Sequence, residues 1–294
     1  MVIDNQLTTS SAADAAYAVS RPLGSDTVLL TGAVPQSAAP RRIRLAMDDP
    51  ARHAAERLRR HLKARGIAVL GEVRVRRTPR PATTATLPAQ PIAILPAAPL
   101  YEAIETVSKG SSNLQAELLL RHLGRLPAPT ASTIAAPNPG ASTIAGPGID
   151  IPTGTTLDGL ARLEHLLTSA GIYPEDYDLA DGSGMSIYNR LSPASIVRLL
   201  VWIDRQPWGD DWTAAQAIGG VDGTLARRFT GTPLEGKVFA KSGTLFGTNT
   251  LSGFVQTARG NQLAFSIMVN DRDRESRTAT PAIDAALLAI AERY

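Results

Sequence analysis

The sequence predicts an α+β fold in which helices cover an antiparallel sheet, and three observations carry that prediction. Residues 237–269 read as a meander of three strands, with Leu263, Phe265, Ile267 and Val269 alternating along the last one. Helical periodicity flanks the meander, at residues 157–170 before it and from Thr280 onward after it. Gly260-Asn261 supplies a tight turn between the second and third strands.

Residues 1 to about 93 form one compositional unit. Within it, residues 27–30, 43–46 and 67–70 read as short strands. Asp49 and Pro50 open a helix, Asp49 as N-cap and Pro50 at the first helical position. Its apolar stripe is Ala51, Ala54, Ala55, Leu58 and Leu62, and Gly66 ends it. The proline-rich stretch 78–96 reads as a boundary. Residues 99–107 read as a helix, Ser111-Ser112-Asn113 as a turn, and 114–123 as a second helix closed by Gly124. Residues 127–152 contain a short repeat, Ala131-Ser132-Thr133-Ile134-Ala135 and then Ala141-Ser142-Thr143-Ile144-Ala145. Five residues are too few for a solenoid unit, so this stretch reads as a loop insertion. The helix at 157–170 carries Leu160, Leu163 and Leu167 on one face. Ser192 and Pro193 start another, which runs to about Ile203. Thr280 is the expected cap of the last helix and Pro281 its first residue, with Ile283, Leu287, Ile290, Ala291 and Tyr294 as the stripe.

Composition narrows the function. The chain of 294 residues is long enough for a buried core. No segment approaches the roughly 18 uninterrupted apolar residues of a membrane span. The start, Met1-Val2-Ile3-Asp4-Asn5-Gln6, has no basic region followed by an apolar stretch, so no signal peptide is expected. Cysteine is absent, which excludes disulfides and thiolate metal sites. The net charge is +3, and basic residues cluster at 41–44, 57–65 and 74–80. No aromatic residue interleaves those clusters, so they read as solvated faces and no nucleic-acid partner is expected. His53, His61, His122 and His165 have no zinc-ligand spacing, and Glu56 completes no His-Glu-x-x-His pattern. No metal and no cofactor is therefore expected.

The chain has only four lysines: Lys63, Lys109, Lys237 and Lys241. Among so many arginines, a retained lysine points to a need for the compact ammonium itself. Lys241 is placed at the end of a strand whose alternation puts Val238 and Ala240 on one face and Phe239 and Lys241 on the other. A cation followed by the hydroxyls of Ser242 and Thr244 suits a terminal carboxylate. Gly243 lets a ligand backbone come close, and the strand edge suits an extended peptide. In isolation the same residues also read as an exposed lysine near a turn. Ser111 and Asn113 lie between two helices, where both types commonly serve as N-caps. Asp181-Gly182-Ser183-Gly184 lacks the Gly-x-Ser-x-Gly form of a nucleophile turn and reads as a tight turn.

Four ordered blocks give these residues a common meaning. Val107-Ser108-Lys109-Gly110-Ser111-Ser112-Asn113-Leu114-Gln115-Ala116-Glu117 resembles the Ser-x-Asn segment of class C low-molecular-mass penicillin-binding proteins, the D-alanyl-D-alanine carboxypeptidase/endopeptidases. Asp181-Gly182-Ser183-Gly184-Met185-Ser186 resembles their Asp-Gly-Ser-Gly-Leu-Ser block. Val221-Asp222-Gly223-Thr224-Leu225, followed by Lys241-Ser242-Gly243-Thr244-Leu245, resembles their Lys-Thr-Gly region, with serine in place of threonine. Asp4-Asn5-Gln6-Leu7-Thr8 and Asp48-Asp49-Pro50 resemble segments of the accessory region.

The resemblance implies a penicillin-binding-protein/serine β-lactamase-like transpeptidase fold with a partial accessory domain. Residues 1–93 would be a remnant of the inserted accessory region, and 94–294 the C-terminal part of the penicilloyl-serine transferase domain. It implies peptidoglycan stem peptides and β-lactams as partners and a periplasmic or cell-envelope location. Ser111 would relay a proton, Lys241 would set the electrostatics, Asn113 would hold the acyl-side amide, and Ser242 and Thr244 would bind the terminal carboxylate beside Gly243. The Thr244 backbone N–H would form half of an oxyanion hole. The family's nucleophile sits in a Ser-x-x-Lys motif, and no serine here has a lysine three residues later. The expectation is thus an N-terminally truncated serine carboxypeptidase/endopeptidase without its nucleophile, or an inactive muropeptide- or partner-binding remnant. A β-lactam-hydrolysing enzyme would need the same missing serine. An apolar groove left open where the nucleophile's helix packs in the family is a further expectation.

Overall fold

The computed structural model describes residues 2–43, 45–76, 93–126, 154–272 and 278–294. The chain divides into two compact units, Met1–Leu87 and Pro88–Tyr294. The insertion expected at 127–152, its repeat and most of the proline-rich boundary lie outside the described residues.

The first unit holds a three-stranded sheet of β1 (Val2–Ser10), β2 (Tyr17–Ser20) and β3 (Thr27–Pro35), in the order β1-β3-β2. β3 runs parallel to β1 and antiparallel to β2. Helix α1 (Pro50–Ala64) starts as its sequence dictates, with the Asp49 carboxylate accepting from the Arg52 N–H at 3.0 Å and Pro50 in its first turn. Its apolar stripe is not buried, and Leu58 is 60% exposed. Two expected strands are corrected. Residues 67–70 form no ladder, and neither do the described residues of 43–46. Both segments are rich in β-formers, but a strand exists only against a partner, and Leu70 stays 98% exposed.

The second unit opens with three helices, α2 (Leu100–Gly110), α3 (Asn113–Leu123) and α4 (Thr156–Ser169). Thr155 and Asp158 form a reciprocal capping box that starts α4. The two-residue strands β4 (Tyr177–Asp178) and β5 (Arg190–Leu191) pair antiparallel and lead into α5 (Pro193–Asp204) and the short α6 (Gly209–Ala214). The main sheet follows: β6 (Ala217–Ile218), β7 (Val238–Leu245), β8 (Thr248–Gln256) and β9 (Gln262–Val269), antiparallel in that order. Helix α7 (Ala279–Arg293) closes the chain.

Strand alternation builds two faces. Val238, Ala240, Leu251, Val255 and Phe265 point to one, where Ile283, Leu287 and Ala291 of α7 complete the main core with Leu225 and Phe229. Each large side chain buried there contributes about 1.5–3 kcal/mol. Phe254 points to the other face, edge-on to Trp212 of α6 at 6.1 Å. This is the α+β arrangement read from the meander and its flanking helices, and it agrees with the transpeptidase-like fold that the resemblance implies. One boundary shifts: α7 begins at Ala279 after Thr278, so Thr280 lies in its first turn instead of capping it. Among the described residues no helix is long and apolar enough to cross a membrane.

Candidate functional site

The α2–α3 junction turns the chain in two residues. Ser112 is the N-cap of α3, its hydroxyl accepting from the Gln115 N–H at 3.4 Å. Ser111 terminates α2 in the left-handed conformation, φ 53° and ψ 50°. That conformation costs an L-residue with a Cβ roughly 1–2 kcal/mol and is normally given to glycine. Capping, the ordinary reading of Ser111 and Asn113 in isolation, is thus the work of Ser112. Asn113 is the first residue of α3 and is exposed.

Lys241 reaches that junction from the sheet. Its Nζ donates to Ser111 Oγ at 2.7 Å and to the Ser242 carbonyl at 2.9 Å. Burial holds its ammonium below the ordinary lysine value. Lys241 does not end its strand, as the sequence suggested. β7 runs through Ser242, Gly243 and Thr244 to Leu245, because Thr248–Gln256 pairs with it along its whole length. On its other edge β7 meets β6 only at Phe239 and Ala240. From Lys241 onward that edge has no strand neighbour among the described residues, and apart from the Ser242 carbonyl, which accepts from Lys241, its backbone groups suit an added extended chain.

Ser242 and Thr244 alternate with Lys241. The Ser242 hydroxyl donates to Thr224 Oγ1 at 2.8 Å. Thr244 Oγ1 accepts from the Asn249 Nδ2 at 3.1 Å, while Arg272 Nε donates to Asn249 Oδ1. The space where a Gly243 Cβ would stand is taken by Thr250 Oγ1, 2.5 Å away. The absence of a side chain at Gly243 therefore makes room for its cross-strand partner Thr250.

A short segment after β6 ties these parts together. Lys109, near the end of α2, bonds Asp222 at 2.8 Å and Glu105 at 3.1 Å, and chiefly the Asp222 hydrogen bond holds it above the ordinary lysine value. The other Asp222 oxygen accepts from the Ile218 N–H at 2.8 Å. Gly223, at φ 56°, packs so closely on α2 that a Cβ would stand 2.8 Å from the Lys109 carbonyl oxygen. Thr224 follows it.

A second brace supports α3. Glu117 accepts from the Gly182 N–H at 2.9 Å and from Thr156 Oγ1 at 2.7 Å, and these bonds, the first above all, hold its carboxyl below the ordinary range. The segment from Asp181 is the tight turn its sequence indicates: the Asp181 carboxylate accepts from the N–H groups of Gly184 at 2.7 Å and Ser186 at 2.8 Å, and from Asn189 Nδ2 at 2.9 Å. Burial alone would raise the Asp181 pKa, but these bonds together bring it below the ordinary value.

The structure thus gathers Ser111, Lys241 and Ser242 into one hydrogen-bonded group, with Thr244 on the same strand and Asn113 two residues from Ser111. Thr224, Asp222 and Asn249 were not among the expected site residues. The first two lie in the Val221–Leu225 block that carried part of the resemblance, whereas Asn249 had no sequence signal.

A D-alanyl-D-alanine carboxypeptidase from Actinomadura sp. is 32% identical over 296 residues, an alignment covering 99% of this chain and 49% of that protein. A carboxypeptidase DacB from Mycolicibacterium smegmatis is 28% identical over 202 residues, covering 67% of this chain and 39% of that protein. The chain therefore spans about half the length, or less, of these relatives. Among solved structures, penicillin-binding protein 4 from Haemophilus influenzae superposes with a TM-score of 0.72 at 23% identity, covering 99% of this chain and 60% of that one. The model of the D-Ala-D-Ala carboxypeptidase 3 (S13) family matches residues 1–159 and 152–293, nearly the whole chain, and the chain belongs to that family.

Proposed function

We propose that this chain carries the substrate-holding half of a serine-type D-Ala-D-Ala carboxypeptidase/endopeptidase site, acting on peptidoglycan stem peptides in the cell envelope. The observation that carries the reading is the Lys241–Ser111 hydrogen bond at 2.7 Å, formed between residues 130 apart beside an open strand edge. Family membership and the curated D-alanyl-D-alanine carboxypeptidase relatives support the reaction class.

In this reading an extended peptide adds to the free edge of β7 through its backbone. Its terminal carboxylate lies against the hydroxyls of Ser242 and Thr244, with the Lys241 ammonium behind them. Asn113 takes the amide on the acyl side. Where a separate acyl acceptor takes the acyl group, Ser111, bonded to Lys241, would pass a proton to the departing D-alanine amine. The acyl acceptor itself is a serine activated by a lysine one helical turn later. None of the 294 residues provides that pair, and the roles proposed for these residues are to bind and orient the substrate. This absence equally favours the second reading, a muropeptide-binding protein without catalysis.

Titration with a diacetyl-L-lysyl-D-alanyl-D-alanine peptide tests the site. Saturable binding weakened at least tenfold by Lys241→Met is the expected result, since a charge-assisted hydrogen bond is worth about 1.5–3 kcal/mol. Equal binding by wild type and Lys241→Met would remove the site from consideration.

A further inference from the structure

We propose that Thr224 is a ligand-binding residue of this site, presenting the hydroxyl proton that meets the substrate's terminal carboxylate beside Ser242. This rests on the reading of the β7 edge as a carboxylate-terminated peptide site.

Two hydroxyls, those of Ser242 and Thr224, share one hydrogen bond here. Each has one proton to give. Ser242 gives its proton to Thr224 Oγ1 at 2.8 Å. The donor left at this pair is the Thr224 hydroxyl, and Thr224 is exposed. Thr244 repeats the pattern two residues along the strand: its Oγ1 accepts from Asn249, which leaves its own proton for an acceptor outside. Two outward hydroxyl donors therefore accompany the Lys241 ammonium, and a carboxylate offers two oxygens to meet them.

The surrounding residues hold Thr224 for this role. On its N-terminal side Asp222 is anchored twice, to Lys109 and to the Ile218 N–H. Gly223 adopts a positive φ and lies against the backbone of α2 with no room for a side chain. On its C-terminal side Leu225 is fully buried in the main core. Thr224 sits between fixed neighbours, so little conformational freedom is lost when it engages a ligand.

The test compares the peptide acid diacetyl-L-lysyl-D-alanyl-D-alanine with its C-terminal carboxamide, by calorimetric titration of the full chain. A change of Thr224 alone would free the Ser242 proton, so Thr224→Val is measured in a Ser242→Ala background. The inference expects the acid to bind the double variant about tenfold or more weaker than Ser242→Ala, with carboxamide binding unchanged. Thr224→Ser in the same background keeps the affinity of Ser242→Ala. If Thr224→Val causes no further loss, or Thr224→Ser loses as much, the inference is overturned. A wild-type preference for the acid would then still leave the β7-edge reading standing. A wild type that binds acid and carboxamide alike overturns both.

Discussion

The Nζ of Lys241 lies 2.7 Å from Ser111 Oγ, and the serine receives it from a left-handed backbone conformation, φ 53°. Glycine is the residue that this conformation normally selects, so the side chain is retained there against a local backbone cost. Ser111→Gly and Ser111→Ala both delete the hydroxyl but differ in that cost. Ser111→Gly is expected to be more stable than Ser111→Ala by about 1 kcal/mol in urea unfolding. Equal stability of the two would show that the turn is unstrained.

Lysine titration separates Lys241 from Lys109. With four lysines in the chain, side-chain NMR of labelled lysine can follow each. Lys241 is expected to titrate below Lys109, because burial lowers the first while the Asp222 hydrogen bond raises the second. The linked stabilities have opposite signs. The contribution of Lys109 is fully present below the ordinary value of 10.5 and is lost as pH rises through its raised folded value. The charged Lys241 opposes folding below its lowered folded value, and that opposition fades as pH rises through it towards 10.5. Melting Lys109→Met beside wild type should show a deficit that shrinks only above about pH 10.5.

Gly243→Ala places a methyl group 2.5 Å from Thr250 Oγ1. A loss of about 1–3 kcal/mol is expected from such overpacking. Thr250→Ala removes the obstructing oxygen, and the double variant should recover most of the loss in a double-mutant cycle. Additive losses would mean that Gly243 is required for another reason.

At the acid end the expectation concerns Asp181. Its carboxylate is held below the ordinary 3.8, despite its burial, by the bonds from Asn189, Gly184, Ser186 and Ser183. The stability this gives is present above pH 3.8 and disappears as pH falls through the folded value. Asp181→Asn should therefore melt below wild type at neutral pH, with the gap closing in acid. A gap independent of pH would assign the effect to shape instead of charge.

Helix α3 leaves Leu114 71% and Leu118 54% exposed, one turn apart on the same side. An exposed apolar face of this kind is expected to bind a solvatochromic dye, and Leu114→Lys with Leu118→Glu should reduce the signal by half or more. No dye binding by wild type would mean that this face is covered in solution.

Much of this architecture was legible in the sequence, and the failures have physical causes. Alternation along residues 263–269 and the caps at Asp49 and Ser192 are local signals, and their elements formed as read. The end of β7 was misplaced because Ser242, Gly243 and Thr244 look like turn residues, while the pairing with β8 that keeps them extended is non-local. Residues 67–70 have strand composition without a strand to pair with. In the site, the Lys-Ser-Gly-Thr and Ser-x-Asn runs could be named from sequence, but the contact between them could not. Thr224 and Asn249 are ordinary polar residues until the fold sets them against Ser242 and Thr244.

In the proposed reading, Ser111, Asn113, Lys241, Ser242 and Thr244 bind substrate, and none of the 294 residues forms a Ser-x-x-Lys pair. The intact mass of the folded chain after incubation with benzylpenicillin tests it most directly. An unchanged mass is expected, alongside a reversible thermal shift with the ligand present. A covalent adduct mapped to one serine would contradict it, by showing that a lysine-activated nucleophile exists among residues assigned here to binding alone.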